Sequence, residues 1–377
     1  MSRDAKEQKP PRIIALDLLR GYFLISIILN HLQWYPNGLD WVAARGSLFV
    51  TAAEGFFLIS GILLGVIRGR KLVDKPFKVP AMLMLSRGAK LYVTSIVLML
   101  LFTFIGWFFL DNAGLKPGIR PMDQPFHEIL LGALSLQYLY GWADFLRLYA
   151  IFIIMSPFAL WLLRKGKWYI LTAISIGLWA LFPIAFTNTS HSAELLMPLS
   201  WQLIFFAGLT IGFYWSTIQS WWQSLSKKVR AFILTPILVG AVVTIIANII
   251  LAWVAYYGAE TNAATQFYNS MLSTLFNKEA LPPLRLALFA SWFILGLYVV
   301  MRYEKQIIKW FGWILIPFGK NSLYVYTLHA IILFFAHLIM APDSSNNIAI
   351  NFIGSIIVVG LILLAVKKRF LFKIIPR

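Results

Sequence analysis

Residues 13–33 read IIALDLLRGYFLISIILNHLQ. As a helix this stretch is about 31 Å long and apolar enough to cross a bilayer, yet it carries Asp17, Arg20, Asn30 and His31. Ionisable groups at membrane depth are costly, and their default reading is functional. Arg20 and His31 stand eleven residues apart, which places them within about 20° of one helix face and about 16 Å apart along the axis. A single stripe therefore runs from a cation in one half of the membrane to an imidazole near the far surface.

The rest of the chain has the same character. It is 60% hydrophobic and 13% charged over 377 residues, with a mean hydropathy of +0.75, which leaves too little polar surface for a soluble globule. Cysteine is absent, so thiol nucleophiles, disulfides and thiolate metal sites are excluded. Any covalent chemistry must use Ser, Thr, His or a carboxylate, or no enzyme-bound intermediate at all. No P-loop, dinucleotide fingerprint or metalloprotease His pair occurs, and no metal is expected.

Apolar runs predict ten membrane helices, at Ile13 to Gln33, Leu48 to Ile67, Leu91 to Leu110, Phe145 to Leu163, Trp168 to Pro183, Leu199 to Trp215, Ala231 to Tyr257, Leu284 to Met301, Asn321 to Met340 and Ala349 to Val366. The expected fold is thus all-α: a polytopic membrane domain over 13–366, flanked by tails at 1–12 and 367–377. With the first tail in the cytoplasm, 26 of the 33 Lys and Arg fall in cytoplasmic segments. Only Arg45, Lys116, Arg120 and Lys278 lie outside. That asymmetry places both termini in the cytoplasm. It also gives the net charge of +18 a topogenic and lipid-headgroup meaning rather than a nucleic-acid one. The first span is expected to stay in the mature protein, since Asp17 and Arg20 do not suit a cleaved signal. In the long external segment Asp111 to Asp144, residues His127 to Tyr140 suit a short interfacial helix or a partial span.

Several constellations bear on chemistry. Glu54 lies about two turns into the second span, at a depth comparable to that of His31. A carboxylate bonded to one imidazole nitrogen would orient the other as a general base; the competing reading is a polar contact that holds two helices together. Asp17 and Arg20 are i, i+3 neighbours with the option of neutralising each other. Gly61 and Gly65 are spaced to admit another helix at close range. Between Arg68 and Lys90 lies the densest group of cytoplasmic cations, from which Arg87 and Lys90 are singled out as phosphate ligands. Ser322, Tyr326 and His329 recur at i, i+4 and i+7, one face of the ninth span; either a polar cavity wall or a hydrogen-bonded helix contact would produce that pattern. Arg147, Tyr149, Trp201, Gln202 and Arg285 sit where spans open on the outer surface, where aromatic rings and hydrogen-bonding groups suit a sugar, though interfacial aromatic belts read alike. His127, His191 and His337 are given no role.

The segment Leu16-Asp17-Leu18-Leu19-Arg20-Gly21, then Asn30-His31, then Ala53-Glu54-Gly55-Phe56-Phe57-Leu58-Ile59-Ser60-Gly61 resembles the membrane acyltransferase superfamily. Ser322-Leu323-Tyr324-Val325-Tyr326-Thr327-Leu328-His329 is similar to its late Ser...Tyr...His helix. Within that superfamily, Met197-Pro198-Leu199-Ser200-Trp201-Gln202-Leu203 and the stretch Leu139 to Trp161 resemble the OpgC family, which succinylates osmoregulated periplasmic glucans. The chain departs from the usual third-helix Arg-x-x-Arg in having Arg87-Gly88-Ala89-Lys90, and Lys cannot reproduce bidentate Arg contacts.

The resemblance implies a ten-helix enzyme of the bacterial inner membrane. It would move a succinyl or acetyl group from cytoplasmic acyl-coenzyme A to a hydroxyl of an extracytoplasmic glycan. On this reading the donor's phosphates meet Arg20, Arg87 and Lys90, with Asp17 beside them. His31, oriented by Glu54, deprotonates the sugar, and the choice between general base and covalent acyl carrier stays open. A transporter or flippase for a small anion or lipid-linked sugar is the alternative, since polar residues inside a bundle also line translocation paths.

Overall fold

The computed structural model describes residues 13–375, apart from 139, 143, 189–192 and 260–261. Its helices, in chain order, are α1 (Ile14–Leu32), α2 (Asp40–Ala43), α3 (Ala52–Leu64), α4 (Lys78–Gly106), α5 (Phe126–Leu134), α6 (Asp144–Arg164), α7 (Trp168–Asn188) and α8 (Ala193–Phe213). There follow α9 (Trp215–Ser224), α10 (Lys227–Tyr257), α11 (Ala263–Ser273), α12 (Pro283–Arg302), α13 (Glu304–Lys320), α14 (Ser322–Ile339) and α15 (Ile348–Lys368). There is no strand among the described residues. Among the described residues ten helices are long and apolar enough to cross a membrane, matching the ten expected runs.

Two departures from the expected boundaries matter. α4 begins at Lys78, not near Leu91, so Arg87 and Lys90 are helical residues with a fixed phase and not part of a loop. The stretch between the eighth and ninth spans forms α13, which packs along the first half of α1. There a Cβ at Gly319 would overlap the Asp17 carbonyl, and one at Gly21 the Leu315 carbonyl. The short helix anticipated in the long external segment is α5.

Burial sorts the bundle. Roughly seventy percent of the residues of α1, α3 and α14 are buried (67%, 72% and 72% over the most apolar windows), against 17% for α7, α10 and α12. The last three present Ile176, Ile250 and Tyr298 outward, one from each helix, as lipid-facing helices do. The helices that carry Arg20, Glu54 and His329 are therefore central, and their polar groups are enclosed by protein.

Glycine sets the closest approach. Gly61 of α3 and Gly65 just past its end face the carbonyls of Phe205 and Leu209, while Gly208 and Gly212 of α8 face those of Leu58 and Ile62. Any Cβ at these four positions would occupy space already filled by backbone, so the two helices pack through reciprocal small-residue grooves.

Outside the spans, the segment after α1 is built from local ties. Arg45 pairs with Asp40 at 2.5 Å, Phe49 N–H donates to Asn248 at 2.8 Å and Tyr268 donates to the Ser47 carbonyl at 2.5 Å. Burial pushes the Tyr35 phenol well above its ordinary pKa, with the Asp40 charge acting in the same direction. It thus stays neutral and donates to Asn30 Oδ1 at 3.0 Å. The segment between α4 and α6 is fastened to α14 by Asn112, whose amide reaches the Leu338 carbonyl at 3.0 Å. This fastening carries Trp142 over the end of α1.

Candidate active site

His31 lies in the last turn of α1, which stops because Gln33 adopts a left-handed conformation at φ 53. One carbonyl freed by that ending, Leu32 O, accepts from His337 Nε2 at 3.2 Å, which gives His337 a capping place. The His31 ring is held on two sides. Trp142 stacks on it with centroids 4.1 Å apart and planes 19° from parallel, and His31 Nδ1 meets His329 Nε2 at 3.1 Å.

The proton positions follow from the partners. His329 Nδ1 is 2.5 Å from the Tyr326 carbonyl, and a carbonyl only accepts, so His329 Nδ1 carries a hydrogen. In a neutral His329 the Nε2 is then bare and accepts from His31 Nδ1–H, which leaves the lone pair of His31 on Nε2. Two imidazoles and one backbone carbonyl thus fix the tautomer of a partly exposed ring.

Glu54 does not occupy the place the sequence reading assigned to it. Its Oε2 accepts from Thr51 N–H at 3.1 Å and Thr51 Oγ1 at 2.5 Å, closing a capping box at the start of α3. Its Oε1 accepts from Arg285 Nε at 2.8 Å and from Arg285 Nη2. Four donors satisfy the four lone-pair sites of a fully buried carboxylate, and nothing remains for His31. The orienting partner of His31 is His329, for which the sequence reading leaves open a cavity wall or a hydrogen-bonded helix contact. Arg285 is likewise withdrawn from the acceptor site: besides Glu54 it donates to the Phe276 carbonyl at 2.6 Å and is 2% exposed.

A second cluster occupies the other half of α1. Arg20 donates to Ser60 Oγ at 3.1 Å, and Ser60 in turn donates to the Phe56 carbonyl at 2.7 Å. The guanidinium lies over the Phe56 ring, 5.2 Å from its centroid. Tyr149, Arg87 and Asp17 surround Arg20 closely enough for their charges and dipoles to act on it, and Arg68 feels Arg87 in the same way. Arg20 Nε and Arg87 Nε are buried without a hydrogen-bond partner among the described residues. The cluster therefore holds more donors than acceptors. Lys90 does not join it, since the helical phase of α4 turns Lys90 to the exposed surface.

Rings connect the two clusters. Phe56 lies 6.1 Å from Tyr326, and Tyr326 meets His329 edge-on at 4.6 Å. Ser322, Tyr326 and His329 are all buried on the inner face of α14.

The other acceptor candidates serve the frame. Arg147 is buried and donates to the Leu136 carbonyl at 3.2 Å. Trp201 Nε1 donates to the Lys278 carbonyl at 3.0 Å, and Gln202 donates to Ser175 O at 2.7 Å, fastening α8 to α7. Together with Trp179, which reaches the Leu281 carbonyl at 3.0 Å, Trp201 latches the segment before α12. His191 and Leu139 lie outside the described residues. Trp142 and Ser60 are site residues that the sequence reading left without a role, and Tyr149, read there as an acceptor candidate at the opening of the fourth span, stands instead in the Arg20 cluster.

A family model described as OpgC protein matches residues 12–374. No curated protein and no solved structure matches the chain.

Proposed function

We infer the function from one premise, that the chain belongs to the OpgC protein family: it is a membrane-embedded acyltransferase that modifies a glucan. The donor is acyl-coenzyme A from the cytoplasm, the acyl group is succinyl or acetyl, and the acceptor is a hydroxyl of an extracytoplasmic glycan. Both termini are cytoplasmic and the membrane is the bacterial inner membrane, on the strength of the Lys and Arg distribution.

The observation that supports this reading most is the hydrogen-bond chain Tyr326 O, His329, His31, because it presents an unprotonated Nε2 on a partly exposed ring. The sugar O–H gives its proton to His31 Nε2 while its oxygen attacks the thioester carbonyl. Collapse of the tetrahedral intermediate breaks the C–S bond, and the leaving thiolate takes the proton back from His31. His329 stabilises the transient imidazolium through the Nδ1–H bond. Positive charge at Arg20, Arg68 and Arg87 suits the donor's phosphates, and unpartnered guanidinium N–H groups are what a polyphosphate would satisfy. Holding donor and acceptor together supplies much of the rate.

The test is to incubate purified protein with acyl-labelled coenzyme A and glucan. Label transfer that is lost in His31→Ala supports the reading; transfer undiminished by that change refutes the base. Glucan uptake by vesicles without any transfer would favour the transporter.

A further inference from the structure

On the far side of α1 from His31 lies a cavity of about 300 Å³, bounded by α1, α3, α10, α12 and the segment 41–50. Its walls include Leu19, Phe23, Ile249, Phe289 and Phe293. It runs from Leu19 to Asn30, eleven residues of α1 or about 16 Å, close to one leaflet's half of the roughly 30 Å hydrocarbon core. Tyr22 and Ile249, which line it, are 41% and 46% exposed, so it opens sideways to lipid.

Among the polar side chains of its lining, Tyr22, Thr51 and Trp292 donate to Val42 O, Glu54 and Thr244, and two on α1 remain to be placed, Ser26 and Asn30. Ser26 is 5% exposed and its hydroxyl has no hydrogen-bond partner among the described residues. Elsewhere in the bundle, Ser60, Ser156, Thr103 and Thr327 all donate to the carbonyl four residues back. One turn further along the same wall, Asn30 uses Oδ1 to accept from Tyr35, while its amide N–H donors have no partner among the described residues. No charged side chain lines the cavity, and the nearby Arg45 is already paired with Asp40.

We propose that this crevice binds a diacyl glycerolipid from the leaflet on the His31 side, its ester carbonyls accepting from Ser26 and Asn30 and one acyl chain lying along Leu19 and Phe293. The chemistry selects this class. A free fatty acid would bring an unpaired carboxylate to a site without a cation, and an isoprenoid chain offers no acceptor to two donors about 6 Å apart along the helix. The site is separate from the acyl-transfer reading and does not depend on it.

The probe pair is dioleoyl phosphatidylethanolamine and its diether analogue, which lacks both carbonyl oxygens, each added to the delipidated full-length protein and followed by native mass spectrometry. The diester should bind about three- to tenfold more tightly, the range expected for one or two uncharged hydrogen bonds. Ser26→Ala should lower diester binding toward the diether level and leave diether binding unchanged. A Cβ at Gly296 meets only Leu19, at 3.7 Å, and Gly296 lines the crevice, so Gly296→Leu should project into it and weaken both lipids. Should that variant fail to fold, the Ser26→Ala comparison decides alone. Equal affinities of diester and diether, or a ratio untouched by Ser26→Ala, would overturn the proposal.

Discussion

His31 works, on this account, only if its Nε2 is kept unprotonated and aimed, and two residues do this. Replacing His329 with Phe preserves the packing against Tyr326 but removes the nitrogen that receives His31 Nδ1–H. Turnover should then fall by about 10²-fold or more with little change in donor affinity, as steady-state kinetics would register. Arg20→Met should act on the other parameter, raising the KM for acyl-coenzyme A more than it lowers kcat; an unchanged KM would remove Arg20 from the phosphate site. Glu54 belongs to a different ledger. Removing one member of a buried ion pair leaves the other charge uncompensated, so Glu54→Gln should destabilise by about 3–5 kcal/mol, seen as a lowered melting temperature. The stripe of Arg20 and His31 was legible because helical phase alone puts the two on one face. The partner of Glu54 was not, because 231 residues separate it from Arg285, and depth matching cannot choose between His31 and Arg285. The stacking of Trp142 was equally hidden, since it depends on how the segment between α4 and α6 is tied to the end of α14.

At the scale of elements, the helices are held by backbone contacts that only glycine permits. Gly61→Val should force α3 and α8 apart and lower the melting temperature by a cost of about 1–3 kcal/mol, whereas Gly177→Ala, in open space on α7, should be neutral or mildly stabilising. Equal effects of the two would argue against the small-residue contact. The spacing of Gly61 and Gly65 pointed to this contact, but their partner, α8, became visible only in three dimensions, where Gly208 and Gly212 complete it. α13 escaped the hydropathy reading for a physical reason: its charged residues Glu304, Lys305, Lys309 and Lys320 dilute an apolar face that is buried against α1. The early start of α4 was missed for a similar cause, since basic residues at 78–90 read as a loop. That start decides the fate of Arg87 and Lys90, one turned to the bundle and the other to its surface.

The whole molecule places the arginine cluster in one half of the membrane and the His31 ring in the other, joined through Phe56 and Tyr326. Such a layout suits a donor and an acceptor that never share a compartment, and it explains why one central helix carries ionisable groups in both halves. The most direct test reconstitutes the protein in sealed vesicles with glucan confined to the lumen and acyl-labelled coenzyme A supplied only outside, counting the vesicles oriented with their cytoplasmic face outward. The account predicts acyl-labelled glucan inside intact vesicles, no transfer by His31→Ala, and no labelled coenzyme A in the lumen. Label on the glucan only after the vesicles are broken, or transfer that persists in His31→Ala, would contradict it.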